Sequence, residues 1–243
     1  LMSAGLTLVF GIMQVINLAH GSFYMIGAYV AATVTARSGS FLLGLVVALA
    51  AAALVGMLVE AIVLRRLYKK DHVDQVLATF GLILFFNEIT RWVWGASPVY
   101  MNVPPALSGT INLLGISYSA YRFAIIVVGL LVALGCYVLI NKTRVGMLIR
   151  AGSSNPTIVA ALGVNIKLLN ATIFALGAAL AGVAGLMSGP ILSVQTGMGE
   201  PILITAMIVI VIGGIGSALG IGSGGGSALA AGASFLGSLF FAE

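Results

Sequence analysis

Charged side chains are missing from this chain over blocks long enough to cross a lipid bilayer. Phe41–Val59 carries none, and Leu1–Ala36 carries none beyond the titratable His20. A spanning helix needs roughly 20 consecutive apolar residues. Runs of that kind recur at Val76–Trp94 (with Glu88 and Arg91 near one end), at Phe123–Asn141, and within Leu168–Gly199, which holds one span plus a turn. At least one more lies in Pro201–Ala242. Only 7% of the 243 residues are charged, against about 25% in a soluble domain whose surface must face water. With a mean hydropathy of +1.17, the chain cannot cover a globule with the polar groups it has, so lipid must take the place of water over much of its surface. The 32 glycines suit close helix approach in a membrane, and the long Leu/Ile/Val/Ala runs exclude a disordered glycine-rich chain. The sequence therefore predicts an all-α integral membrane protein. It reads as one transmembrane domain over residues 1–243, a polytopic bundle of about six to eight helices.

The few cations orient the bundle. Eight of the eleven Lys and Arg residues fall in two segments. Arg65, Arg66, Lys69 and Lys70 lie in Leu64–Gln75; Lys142, Arg144, Arg150 and Lys167 lie in Asn141–Leu168, which has no acid. Both segments are predicted to face the cytoplasm. The intervening Gly95–Tyr121, with Pro98, Pro104 and Pro105, is then external. The first 36 residues are long for one crossing and tight for two. A break is expected at Asn17–Gly21, towards the cytoplasmic side, with Gly21 as the breaking residue.

Within the second basic segment, Asn155 is a good N-cap, Pro156 suits the first helical position and Gly163 suits the position that ends a helix. The spacing predicts a cytoplasmic helix of about seven residues, roughly 10 Å long, with Ile158, Val159 and Leu162 on one face. An exposed apolar face of that kind either lies on the lipid surface or docks against a partner.

This segment and Val15-Ile-Asn-Leu-Ala-His-Gly-Ser-Phe-Tyr-Met-Ile-Gly-Ala-Tyr29 resemble the permeases of branched-chain amino acid ABC importers. The matching residues are Asn17–Gly21, with Leu18 in place of Phe, and Gly27–Tyr29. The match continues at Arg150, Ala151, Asn155, Ala160 or Ala161, and Leu162–Asn165. Gly213, Gly214, Gly216 and Ser217 form a third match, and Glu60 with Arg65 a fourth, with Arg66 where the family often has Pro. The resemblance runs in order over residues 1–220 and fades beyond. It implies an inner-membrane, multi-pass permease subunit of a bacterium, carrying branched-chain or related amino acids. The implied partners are a second permease subunit in a heterodimer, two cytoplasmic ATP-binding subunits and an extracytoplasmic substrate-binding protein, all around the lipid bilayer. It also implies that the short helix couples to an ATPase, through Arg150, Asn155, Pro156, Ile158, Val159, Leu162 and Gly163. Asn17, His20, Gly21, Glu60, Gly213, Gly214 and Gly216 are the candidates for a pathway or gate. The natural chain is expected to extend before Leu1, and 220–243 is the least family-like stretch.

Other chemistry finds little to use. His20 in an apolar run either hydrogen-bonds a neighbouring helix or lines a pathway, since intramembrane polar groups face the protein interior. Glu60 is expected to anchor to Arg65 or Arg66, and Glu88 to pair with Arg91. Ala178, Gly182, Gly185 and Gly189 form a small-residue stripe for close packing. Cys136, the single cysteine, supports neither a disulfide nor a thiolate metal site. Gly220-x-Gly222-x-x-Gly225 follows no strand and is low complexity. A phosphate-binding P-loop needs Lys before Ser or Thr, and the last cation is Lys167, so the energy source must be a partner. No cofactor, enzymatic activity or nucleic-acid binding is expected. A passive channel, or a secondary transporter for a small polar solute such as urea, is the alternative; the latter should show inverted repeats, and none is evident.

Overall fold

The computed structural model describes residues 1–13, 15, 17–68, 70–113 and 116–213. The helices are α1 (Met2–Met13), α2 (His20–Ser38) and α3 (Phe41–Val59), which runs on through a π turn (Glu60–Leu64) into the short α4 (Arg65–Leu67). They continue with α5 (His72–Trp94), α6 (Ala120–Lys142), α7 (Arg144–Ser154), α8 (Pro156–Ala161), α9 (Ile166–Ser188) and α10 (Gly199–Gly213). Between α5 and α6 lies an antiparallel hairpin, β1 (Thr110–Leu113) with β2 (Ile116–Ser119). It is a small β addition to an all-α bundle.

Among the described residues four helices are long and apolar enough to cross a membrane: Phe41–Leu67, His72–Trp94, Ala120–Lys142 and Ile166–Ser188. Met2–Gly11 and Gly199–Val211 are shorter apolar helices. The central pair is α2 and α9. Along α9, 78% of the spanning window is buried, against 11% along α6, so α9 faces protein and α6 presents its side chains outward. Small residues make the centre possible. A Cβ at Gly27 would stand 2.3 Å from the Gly182 Cα, and one at Gly185 would meet the backbone of Tyr24. Gly56 of α3 abuts Ala178. The stripe on α9 is thus a packing surface in which backbones touch.

The two basic segments lie at one end of the bundle. α3 and α9 run antiparallel, with Ala52 beside Gly182 and Gly56 beside Phe174 and Ala178, which sets Arg65 near the Lys167 end of α9. Ile140, near the end of α6, joins Leu8, Ile149, Leu169 and Ile173 in a satellite cluster at that same end. At the opposite end the Tyr121 hydroxyl donates to the Met187 carbonyl, and Val99 of the proline-rich segment bridges to Val194. Polarity along the bundle therefore agrees with the charge pattern.

The first 36 residues divide differently from the expectation. The helix ends at Met13 and resumes at His20, so Gly21 is not the breaker but lies inside the first turn of α2. The Asn17 side chain holds the break by accepting from the Ala19 N–H at 3.0 Å. Gly21 is needed for another reason: a Cβ there would stand 2.5 Å from the Gly199 carbonyl oxygen.

Candidate functional site

Two regions carry the residues singled out by sequence. The first is a helical elbow at the basic end. α7 opens with Thr143 accepting from the Gly146 N–H, and Gly146 lies so close to the Leu139 and Ile140 carbonyls that no side chain would fit. Arg150 ties the elbow to α6, donating to the Ile140 carbonyl at 2.6 Å and to the Asn141 side-chain oxygen at 3.2 Å. Ile149 is buried in the satellite cluster with Leu8, Leu169 and Ile173, so α7 is packed onto α1 and α9.

α8 follows at once. The Asn155 side chain accepts from the Ile158 N–H at 3.1 Å, and Pro156 occupies the first turn. At the far end Gly163 adopts φ +86°, its N–H bonds the Ala160 carbonyl, and the Val164 N–H bonds the Val159 carbonyl. This double closure satisfies the last carbonyls with a left-handed residue that only glycine adopts without strain. Leu162 is the cap residue, so the helix proper has six residues, Pro156–Ala161. The faces differ from the expectation at one position. Ile158 is 58% and Leu162 77% exposed, whereas Val159 is 6% exposed and turned inward. Contacts with α7 and α9 set that facing, so Val159 belongs to the elbow's own packing and Ile158 with Leu162 to its outer surface.

The second region is where the helices break. His20 is wholly buried; its ring fills the space left by Gly5 and Gly177 and stands edge-on to Phe23 at 5.9 Å. Among the described residues neither its ring nitrogens nor the Asn17 amide nitrogen finds a hydrogen-bond partner. Glu60 sits apart from them, in the π turn, also wholly buried. Arg65 reaches one carboxylate oxygen at 3.0 Å and the Tyr68 hydroxyl donates to the other at 3.0 Å. Burial, then the adjacent Glu60, pushes the Tyr68 phenol well above the usual tyrosine range. With both oxygens bonded, Glu60 ties the end of α3 to Arg65 and Tyr68. Glu88 and Arg91 pair at 3.0 Å near the outer end of α5. Gly213 ends the described part of α10; Gly214 and Gly216 lie outside the described residues, as does 220–243.

Sequence reasoning missed a polar pair at this second region. From Val194 the backbone descends along α2: Thr196 meets the Tyr29 hydroxyl at 3.5 Å, the Gly197 N–H points to the Met25 sulfur, and Gly199 packs on Gly21. α10 therefore starts inside the bundle, and so does α2. There Asn87 of α5 donates to the Glu200 carboxylate at 2.8 Å. Asn87 stands seven residues before Trp94, roughly 10 Å in from the outer end of α5, yet Glu200 is exposed. An ionised side chain facing hydrocarbon costs about 2.5–3.5 kcal/mol, and the helix N-terminus offsets only about 0.3–1 kcal/mol of it. The signal was available: Glu200 is one of six acids and directly precedes an apolar run. Among the described residues no group of three His, Cys, Asp or Glu side chains could hold a metal ion.

Comparison with known proteins supplies the remaining observation. The family model "Branched-chain amino acid transport system / permease component" matches residues 1–239, which carries the likeness past Gly220. The permease protein BraD of the high-affinity branched-chain amino acid transport system of Pseudomonas aeruginosa is 31% identical over 240 residues, covering 93% of this chain and 78% of that protein. The corresponding LivH permease protein of Salmonella typhimurium is 28% identical over 247 residues, covering 93% and 77%. A probable branched-chain amino acid transport permease protein, LivH, of Methanocaldococcus jannaschii is 29% identical over 228 residues, covering 88% and 70%. No solved structure matches the chain.

Proposed function

The chain belongs to the family of branched-chain amino acid transport permease components, and we propose that it forms, with a second permease subunit, the pathway of an ATP-binding-cassette importer for those amino acids. As a transport permease it works alongside other subunits. Two cytoplasmic ATPases drive it and an external binding protein delivers the substrate. The observation that carries this reading is the elbow: a six-residue helix, capped at both ends, that points Ile158 and Leu162 away from the bundle. Outward apolar side chains on so short a helix at the basic end are suited to a cleft in a partner.

The elbow also supports a way of passing motion on. Arg150 and Gly146 clamp α7 to the end of α6, and Ile149 locks it to α1 and α9. A push on α8 therefore moves α7, α1 and α9 as a packed unit rather than flexing a loop. Because α9 touches α2 backbone to backbone, the displacement reaches the two helices that start inside the bundle. Rigid-body tilting of this kind converts an outward-facing state to an inward-facing one.

Site-directed cross-linking tests the reading. A Leu162→Cys variant in a Cys136→Ala background should cross-link to the ATPase subunit, with a yield that changes between the nucleotide-free and ATP-trapped complex. Cross-links to lipid-phase probes alone would mark α8 as a membrane-surface helix and overturn the coupling role.

A further inference from the structure

Resting on the importer reading above, we propose that Glu200, held by Asn87, binds the ammonium group of the amino acid as it crosses the bundle. The pair joins α5 to the first turn of α10 across 113 residues of sequence, at a level where α5 carries exposed apolar neighbours such as Leu84, Phe85 and Ile89. Asn87 uses one carboxylate oxygen, and among the described residues no cation forms an ion pair with Glu200. The side chain is a carboxylate with a vacant acceptor, in the apolar zone, open on one side.

Its surroundings fit a path rather than a lipid face. The chain reaches Glu200 through the non-helical stretch from Val194, and backbone of that kind is tolerated at membrane depth only where protein covers it or where it lines a cavity. The first turns of α2 and α10 meet there through Gly21 and Gly199, either of which would clash with the other's carbonyl if it carried a Cβ. A carboxylate held this way makes a charge-assisted bond to a primary ammonium, the one positive group that every neutral amino acid carries.

The full complex, with its partner subunits and binding protein, reconstituted in proteoliposomes, tests this. Glu200→Gln should lower maximal leucine uptake about tenfold or more, the loss expected for removing one charge-assisted bond, while Glu88→Gln, in the exposed outer pair, transports like the unsubstituted complex. Independently, Glu200→Cys in a Cys136→Ala background should react with a water-soluble, membrane-impermeant thiol reagent, more slowly when leucine is present. Unchanged uptake by Glu200→Gln overturns the proposal. So does a cysteine that reacts only with lipid-soluble reagents, or one that never reacts because a cation of the second permease subunit covers the site. Absence of leucine uptake by the unsubstituted complex strikes at the importer reading itself, a result distinct from any difference between the variants.

Discussion

Replacing Ile158 and Leu162 together with Ser should uncouple the ATPase without disturbing the bundle. Fully burying a Leu or Ile side chain is worth about 1.5–3 kcal/mol. Leu162 leaves 77% and Ile158 58% of its surface open, so a cleft that covers both gains about 2–4 kcal/mol from them, with a middle value of roughly a hundredfold in affinity. The double variant is expected to bind the purified ATPase roughly a hundredfold more weakly in a titration and to lose transport-coupled ATP hydrolysis. Its thermal midpoint in detergent should stay within a degree or two, because neither side chain packs inside the protein. Val159→Ala gives the opposite signature. It removes buried methyl groups from the elbow at a cost of about 1–2 kcal/mol and leaves the outer surface intact. A double Ser variant that binds and couples like the unsubstituted protein would refute the reasoning.

Three further outcomes follow from packing and charge. Glu60→Ala strips Arg65 and Tyr68 of their shared acceptor; with Arg65 partly exposed, the loss is about 3 kcal/mol, the low end for a broken buried pair, read as a lower thermal midpoint in detergent. Gly27→Leu forces a side chain into the Gly182 backbone and should cost about 3 kcal/mol or more, seen as loss of folded protein by size-exclusion chromatography. Asn155→Ala removes the cap of α8 at about 1 kcal/mol, which hydrogen exchange should register as faster exchange at the Ile158 amide with α9 unchanged.

How much was legible in the sequence depends on what each helix faces. α3, α5 and α6 announce themselves by hydropathy, because lipid-facing helices must be apolar along their length, and α9, which faces protein, does so through the Ala, Gly and Leu that let it pack closely. α2 does not: His20, Ser22, Tyr24 and Tyr29 are all buried by other helices, so protein rather than lipid decides its composition. The cap and stop of α8 were readable from Asn155, Pro156 and Gly163, since those residues act locally. The inward turn of Val159 was not, because a six-residue helix has under two turns and its facing is set by α7 and α9. Glu60 could be matched to a nearby Arg from spacing alone. The meeting of Asn87 with Glu200 could not, because it depends on a chain that descends along α2 before α10 begins.

The most direct measurement is uptake of labelled leucine into proteoliposomes holding this permease with its partner subunits and binding protein. Accumulation that requires ATP and the ATPase subunits, and that stops when either is withheld, is the predicted result. Equal flux of leucine or urea through the permease without ATP would contradict the account and mark the chain as a passive path.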